Sequence, residues 1–203
     1  MTTNKLIIFT RYPEAGKAKT RLIPALGAEG AATLQRQMTE YVIGISREAI
    51  NQVSGTISIE VHFAGGNQQL MAKWLGNDII YRLQSEGDIG LRMSFAFQTA
   101  FNQQNNRIVI IGSDCPQLNS QLIIQAFDAL SQNDLVLGPA TDGGYYLIGL
   151  RRFIPELFTG ISWSTSEVLQ QTIDIAKNLN LAVDYLETLS DVDRPEDLYV
   201  VKL

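Results

Sequence analysis

Arg107-Ile-Val-Ile-Ile-Gly112 runs without a break into Ser113-Asp114-Cys115-Pro116. A continuous apolar run with no polar alternation belongs to a strand covered on both faces, the situation of a central parallel strand. Pro116 then stops the strand and turns the chain. Outward from this point, short apolar runs alternate with longer amphipathic ones. Upstream, Leu6–Thr10 and the alternating Ser58–Ala64 and Ile79–Gln84 read as strands. Leu34, Met38, Tyr41, Ile45 and Ala49 recur at helical spacing, a short helix is expected over Gln68–Leu75, and another runs from the Glu86–Gly90 turn to about Gln104. Downstream, a helix capped by Ser120 extends to about Gln132. Strands follow over Asp134–Pro139 and Tyr145–Leu150, then a helix over about Ser166–Leu179 and a strand near Val183–Leu189. This alternation predicts an α/β sheet with helices on both faces, and ligands then belong outside the carboxyl ends of the strands.

The 203 residues suit one domain over 1–203 with a well-buried core. A net charge of −5 argues against nucleic-acid or anionic-membrane partners. No apolar run is long enough for a membrane span, and the apolar start is too short for a signal sequence. The single cysteine, Cys115, excludes an internal disulfide and makes a reducing cytoplasm the expected compartment.

Five segments carry polar residues where the crevice rule expects a ligand. Arg11-Tyr-Pro-Glu-Ala-Gly-Lys-Ala-Lys-Thr-Arg21 follows the first strand and holds four cations, Arg11, Lys17, Lys19 and Arg21. Gly16 would let backbone N–H groups approach a phosphate while the cations supply charge; the plain alternative is a solvated basic loop. It is not a P-loop, because Arg11 stands at the first glycine position and Ala18 replaces Ser/Thr. Asp114 can hold a hard divalent cation at the strand end, or can cap the next turn. Cys115 reads as a packed residue, since the only histidine, His62, lies far off in a strand pattern and is itself read as structural. Asp142-Gly143-Gly144-Tyr145-Tyr146 fits a tight hairpin, or a place where an acceptor meets the backbone with Asp142 bonding its hydroxyls or a metal. Gly87-Asp88-Ile-Gly90 and Arg92 suggest a base or ribose approach, with helix capping as the plain reading of Asp88. In Asp191-Val-Asp193-Arg-Pro-Glu-Asp-Leu198, Pro195 with Glu196 and Asp197 is helix-start chemistry, which leaves Asp191 and Asp193 free as further metal ligands.

Taken in this order, these segments resemble a known family over nearly the whole chain. Pro13, Gly16, Lys19-Thr20-Arg21, Gly87-Asp88-Ile89-Gly90 with Arg92-Met93, and Gly112-Ser113-Asp114-Cys115-Pro116 carry the resemblance, with Asp142 to Tyr146, Trp163-Ser164-Thr165 and Asp191 to Leu198. The sequence looks like the DUF2064 family of small GT-A-type transferases, which is related to the guanylyltransferases of molybdenum-cofactor and F420 synthesis. The resemblance implies a Rossmann-like nucleotide-diphospho-sugar transferase fold of about seven strands. It also implies Mg²⁺ or Mn²⁺ held by Asp114 with Asp193 or Asp191, and Lys19 and Arg21 facing donor phosphates. Metal-dependent glycosyltransferases carry Asp-x-Asp here, whereas this chain reads Ser113-Asp114-Cys115, so the second carboxylate must come from elsewhere. Arg194 stands where Thr is common, and Ser113 replaces the more usual Thr.

The expected activity is transfer of a sugar from a nucleotide-sugar to a small acceptor, with Lys19 and Arg21 stabilising the leaving diphosphate and Asp142 as base. Arg11, Gly16, Lys17, Gly87, Asp88, Gly90, Arg92, Gly143 and Gly144 are the donor-binding candidates. The alternatives are a nucleotidyltransferase joining an NTP to a phosphorylated small molecule, and a non-catalytic nucleotide-binding protein on the same fold.

Overall fold

The computed structural model describes residues 3–52 and 56–201. In chain order the elements are β1 (Thr3–Arg11), α1 (Ile23–Ile50), β2 (Thr56–Ala64), α2 (Gln68–Leu75), β3 (Ile80–Leu83) and α3 (Ile89–Asn102). There follow β4 (Arg107–Gly112), α4 (Ser120–Ala129), β5 (Leu135–Pro139), β6 (Tyr145–Leu150), α5 (Val168–Asn178) and β7 (Val183–Tyr185). Short 3-10 turns occupy Thr20–Leu22, Pro155–Phe158 and Pro195–Val200. The seven strands form one sheet in the order β3-β2-β1-β4-β6-β5-β7. Only β6 runs against the rest, pairing antiparallel with both β4 and β5. This is the expected mixed, mostly parallel sheet with helices on both faces, the GT-A-like nucleotide-diphospho-sugar transferase fold.

The apolar runs at the centre are covered on both sides. Leu6, Ile8, Val109 and Ile111 pack with residues of α1, α2 and α4, including Val42, Met71, Leu122 and Phe127. Their neighbours Ile7, Phe9, Ile108 and Ile110 turn the other way, onto Met93 and Phe97 of α3, Ala176 of α5 and Phe158. Alternate residues of one strand thus feed two cores, which is why no polar residue interrupts the run. A third, smaller cluster joins Leu22, Ala31, Leu34 and Met38 to Val192, and so pins the segment after β7 against α1.

Some boundaries differ from the sequence expectation. Asn119, not Ser120, caps α4, its side chain accepting the Leu122 N–H at 3.0 Å, and the helix ends at Ala129 because the chain turns through Leu130. The last strand stops at Tyr185; beyond it the Leu186 N–H still donates to the Leu137 carbonyl at 2.9 Å, and Leu189 returns as an isolated bridge to Ala140. The helix before it is shorter at both ends than expected, Val168–Asn178. The first helix is broken near its start at Gly27, whose φ of 71° is outside the helical region.

A buried ionic network lies under β1–β3. Lys5 bonds Glu60, and Glu60 also meets Arg82 Nε at 2.9 Å and His62 Nε2 at 3.3 Å. His62 stacks on Phe9 with centroids 5.6 Å apart. The structural reading of His62 holds.

Candidate active site

The parallel strands end, and β6 begins, on one side of the sheet, so the loops after β1, β4 and β5 meet there. The loop after β1 folds back on itself through the Glu14 carbonyl, which accepts the Lys17 and Ala18 N–H groups at 3.0 Å each. Lys19 then adopts a left-handed conformation, φ 44° and ψ 49°. A non-glycine residue held there costs roughly 1–2 kcal/mol, so the surroundings must impose it. They do: its side chain is only 5% exposed, and Nζ donates to Asp114 Oδ1 and to the Val192 carbonyl, both at 2.7 Å.

Asp114 follows the central strand, as the sequence places it. Its backbone carbonyl accepts the Val192 N–H at 2.8 Å, and Cys115 Sγ donates to the Ser190 carbonyl at 3.4 Å. Residues 190–193 therefore lie as an acidic strap across the end of β4, anchored by the fully buried Val192. Arg21 pairs with Asp193 on that strap. Asp197 accepts the N–H groups of Asp193 and Arg194 at 3.0 and 2.7 Å, which satisfies the start of the Pro195–Val200 turn.

Two lobes of one cleft meet at this point. The first, about 610 Å³, is faced by Arg11, Lys17, Lys19, Arg21 and Arg92, with only Asp114 and Asp193 as carboxylates. The second, about 800 Å³, is faced by Asp114, Asp142, Asp191, Asp193 and Asp197 against Arg21 and Arg194. Arg21, Asp114 and Asp193 line both and form the seam. The cleft is thus polarised, cationic on one side and anionic on the other.

The anionic side shows its strain in Asp191. Burial pushes this carboxyl up to about 6, and the nearby Asp142 raises it further, with Asp114 and Asp193 adding to the effect. By contrast Cys115 is buried and its thiol is pushed up to about 12, which fits a packed residue and not a nucleophile. Among the described residues no three of these side chains stand as a preformed metal cluster. Hard carboxylate oxygens clustered beside a cationic lobe nevertheless fit Mg²⁺ or Mn²⁺, which commonly use one or two carboxylates and complete their shell with water and phosphate. Asp114, with Asp193 or Asp191, are the residues that would hold it.

The remaining sequence candidates divide. Gly144, Asp142 and Tyr145 line the second lobe, and Asp142 Oδ1 accepts the Gly144 N–H at 2.8 Å, as the tight-turn reading expects. Gly143 serves packing: at φ 89° its Cβ would fall 2.2 Å from the Ser166 carbonyl oxygen. Gly16, Gly87, Asp88 and Gly90 stay off the cleft wall. Asp88 caps α3 through the Leu91 N–H at 2.8 Å, and the wall at that helix is made by Ile89, Arg92 and Met93. Gly90 lies directly under the Trp163 indole, where a Cβ would come within 2.0 Å of the ring. Both tyrosines line the first lobe, and Tyr145 the second as well; Tyr146 is buried and donates to the Glu187 carbonyl at 3.0 Å, while the Tyr145 hydroxyl is turned inward and buried beside Thr172 of α5.

One device escaped the sequence reading. Beneath the seam, Gln35 Nε2 reaches Thr10 Oγ1 at 3.2 Å, Thr39 Oγ1 at 3.1 Å and Ser113 Oγ at 3.2 Å, and the Thr10 and Thr39 hydroxyls lie 2.7 Å apart. This buried network fixes the ends of β1 and β4 against α1, immediately before Arg11 and Asp114. Its signal was available: Gln35 and Thr39 are polar residues four apart beside the apolar positions Leu34 and Met38.

Known proteins bear on this arrangement in three ways. A family model described as "Uncharacterized protein conserved in bacteria (DUF2064)" matches residues 49–165. No protein of curated function matches the chain. Among solved structures, a protein of Desulfovibrio desulfuricans G20, provisionally described as a nucleotide-diphospho-sugar transferase, is 34% identical over 98% of this chain and 86% of its own, with a TM-score of 0.90. The 4-diphosphocytidyl-2C-methyl-D-erythritol synthase of Anaerococcus prevotii shares the fold at 11% identity, covering 98% of this chain and 93% of its own with a TM-score of 0.61. So does the glucosyl-3-phosphoglycerate synthase of Mycobacterium tuberculosis, solved with Mn²⁺, UDP and glucosyl-3-phosphoglycerate, at 14% identity, 98% and 75% coverage and a TM-score of 0.57. A match over more than half of its length, joined to the close likeness of fold, shows that the chain belongs to the DUF2064 family.

Proposed function

We propose that this protein is a metal-assisted transferase with a nucleotide-activated donor, and that it moves a sugar from a nucleotide-sugar to a small acceptor. The carrying observation is the polarised cleft, in which Lys19 and Arg21 meet Asp114 and Asp193 at the seam. The donor diphosphate fits the cationic lobe, which Arg11, Lys17, Lys19, Arg21 and Arg92 line. Arg92 is pre-oriented by the Gly87 carbonyl at 2.9 Å and Gln84 Oε1 at 3.3 Å. When bound, Mg²⁺ or Mn²⁺ neutralises charge on the departing diphosphate.

The protein's own cations do the same work. In the ground state Lys19 and Arg21 are committed to Asp114 and Asp193; as the sugar–phosphate bond breaks, negative charge grows on the diphosphate within their reach. Donors aimed at charge that develops only in the transition state give the largest single contribution to such reactions. On the other side of the seam, Asp142 is exposed and accepts the acceptor hydroxyl's proton through the oxygen that the turn leaves free. The acceptor oxygen then bonds to the sugar carbon while the nucleoside diphosphate leaves with the bonding pair.

A second reading, nucleotidyl transfer from an NTP, is supported by the single strand-end carboxylate, Asp114, whose partners come from the strap and not from an Asp-x-Asp pair. The test is an Asp114→Asn variant assayed for diphosphate release from nucleotide-sugars with Mg²⁺ or Mn²⁺. The proposal expects loss of metal-dependent turnover in a protein that still melts cooperatively. Metal-dependent release at the wild-type rate would remove Asp114 from the chemistry.

A further inference from the structure

The two lobes make opposite demands on their occupants. A donor carries at least two negative charges and can settle only where cations outnumber carboxylates, in the first lobe. The second lobe offers Asp142 and Asp191 beyond the seam, neither in an ion pair with the protein's own cations among the described residues, and Asp197 beside Arg194; a metal ion on Asp114 and Asp193 leaves both Asp142 and Asp191 uncompensated, and one on Asp114 and Asp191 leaves Asp142. Its remaining wall is neutral or aromatic: Thr141, Gly144, Tyr145, Trp163 and the Ser164–Ser166 segment. A phosphate or carboxylate entering it would be pressed against two or three carboxylates in a half-closed space, where repulsion between like charges is poorly screened.

Trp163 gives this lobe a surface as well as a charge. Its indole rests on Gly90, where any side chain would collide with it, and it packs partly into the core beside α3 and α5. The next residue, Ser164, is held at a positive φ of 64°. Thr165 Oγ1 donates to the Ser162 carbonyl at 2.7 Å, and the Ser162 N–H donates to Gln171 Oε1 at 2.7 Å. The ring is therefore braced from below and its loop is tied to α5, which makes a rigid flat platform and not a mobile surface residue. An aromatic wall with a few placed polar groups is the usual composition of a small-molecule site, and carboxylate oxygens, which only accept hydrogen bonds, suit a molecule rich in hydroxyl donors.

We infer that the second lobe takes a hydroxyl-bearing acceptor of sugar or polyol type that carries no negative charge, seated on Trp163, and excludes phosphorylated ones. This rests on the reading of the first lobe as the donor site. It also deepens that reading, because the competing nucleotidyl transfer requires a phosphorylated acceptor in the same place.

The experiment reads the platform itself. The chain has two tryptophans, Trp74 and Trp163. Trp74 lies on α2, bonded to Glu40 and edge-on to Tyr12, and lines neither lobe. In a Trp74→Phe variant of the full chain, fluorescence reports Trp163 alone. Quenching by acrylamide is measured with Mg²⁺ present, with and without glycerol, methyl glucosides and methyl mannosides, and with and without glucose 6-phosphate and glycerol 3-phosphate. The expected result is that at least one neutral probe lowers the quenching constant about twofold or more while its phosphate ester leaves it unchanged. Equal or better protection by a phosphate ester overturns the inference, and so does a complete absence of protection by the neutral probes. A parallel arm exchanges Asp142 and Asp191 for Asn and uses iodide as the quencher; the inference expects iodide access to Trp163 to rise, and unchanged access overturns it. Donor binding is scored separately, by the melting shift with UDP, GDP or CDP and Mg²⁺. No shift with any diphosphate would sink the donor reading whatever Trp163 reports, so the two failures are told apart.

Discussion

Lys19 Nζ stands 2.7 Å from Asp114 Oδ1 and 2.7 Å from the Val192 carbonyl, so one side chain ties the basic loop, the end of β4 and the acidic strap together. The arrangement puts a cation on the proposed metal ligand until donor and metal arrive. Lys19→Met should lower kcat by about 10²–10³-fold, the usual effect of removing one transition-state donor. Lys19→Arg should not restore it, since a planar guanidinium does not fit a buried pocket shaped for a single ammonium. Steady-state kinetics of both variants check this; either one within about threefold of wild type would take Lys19 out of the reaction.

Asp191 yields a pH-dependent prediction. Its folded pKa of about 6 lies above the ordinary carboxylate value of 3.8, so the folded protein holds the extra proton more tightly than the unfolded chain. Ionisation of Asp191 therefore destabilises the fold progressively from about pH 4 to pH 6. Asp191→Asn removes that cost. The variant should melt higher than wild type above pH 6, by about 1 kcal/mol after allowance for solvent screening, and the gap should close toward pH 4. Paired thermal melts across that range, without divalent metal, measure it.

Gly90 and Trp163 make a purely steric prediction. A methyl group at Gly90 would meet the indole at 2.0–2.3 Å, and the indole is the rigid partner. Gly90→Ala should cost about 1–3 kcal/mol by overpacking and should shift the Trp163 emission as the ring leaves its seat. Denaturant titration and emission spectra of a Trp74→Phe background report both.

The network at Glu60 predicts a stability effect remote from the cleft. Burial alone would raise this carboxyl, but hydrogen bonds from His62, Lys5 and Arg82 hold it down at about 2. Glu60→Leu leaves the buried Lys5 without its counter-charge and should destabilise by about 3–5 kcal/mol. Its contribution in the wild type is present above pH 4.5 and is lost as the pH falls toward 2. Urea unfolding at pH 7 and at pH 3 should show the variant's deficit shrinking at the lower value.

Much of this was legible in the sequence, for definable reasons. Arg107–Gly112 and Tyr145–Leu150 come out with their expected limits, because a strand covered on both faces must be apolar throughout. Asp88 caps its helix as predicted, since the Asx side chain three residues before a free N–H is a local device. The crevice rule places Arg11, Lys17, Lys19, Arg21 and Asp114 around one cleft, which they line. What stayed hidden depends on distant partners. The seat of Trp163 on Gly90 joins positions 73 residues apart, and no spacing rule links them. The Gln35 network joins three elements, so each hydroxyl taken singly looks like an ordinary polar interruption. The strap's hold on Asp114 runs through the backbone of Val192, where sequence carries no mark.

The most direct test of the central claim is to identify the phosphorus product. Purified protein with Mg²⁺ or Mn²⁺ is incubated with nucleotide-sugars plus neutral polyol acceptors, and in parallel with nucleoside triphosphates plus sugar phosphates, and the phosphorus species are followed by ³¹P NMR. Sugar transfer predicts metal-dependent release of a nucleoside diphosphate from the first mixture, absent in the Asp114→Asn variant. Release of pyrophosphate from the second mixture, with the first unchanged, would contradict it and establish nucleotidyl transfer in its place.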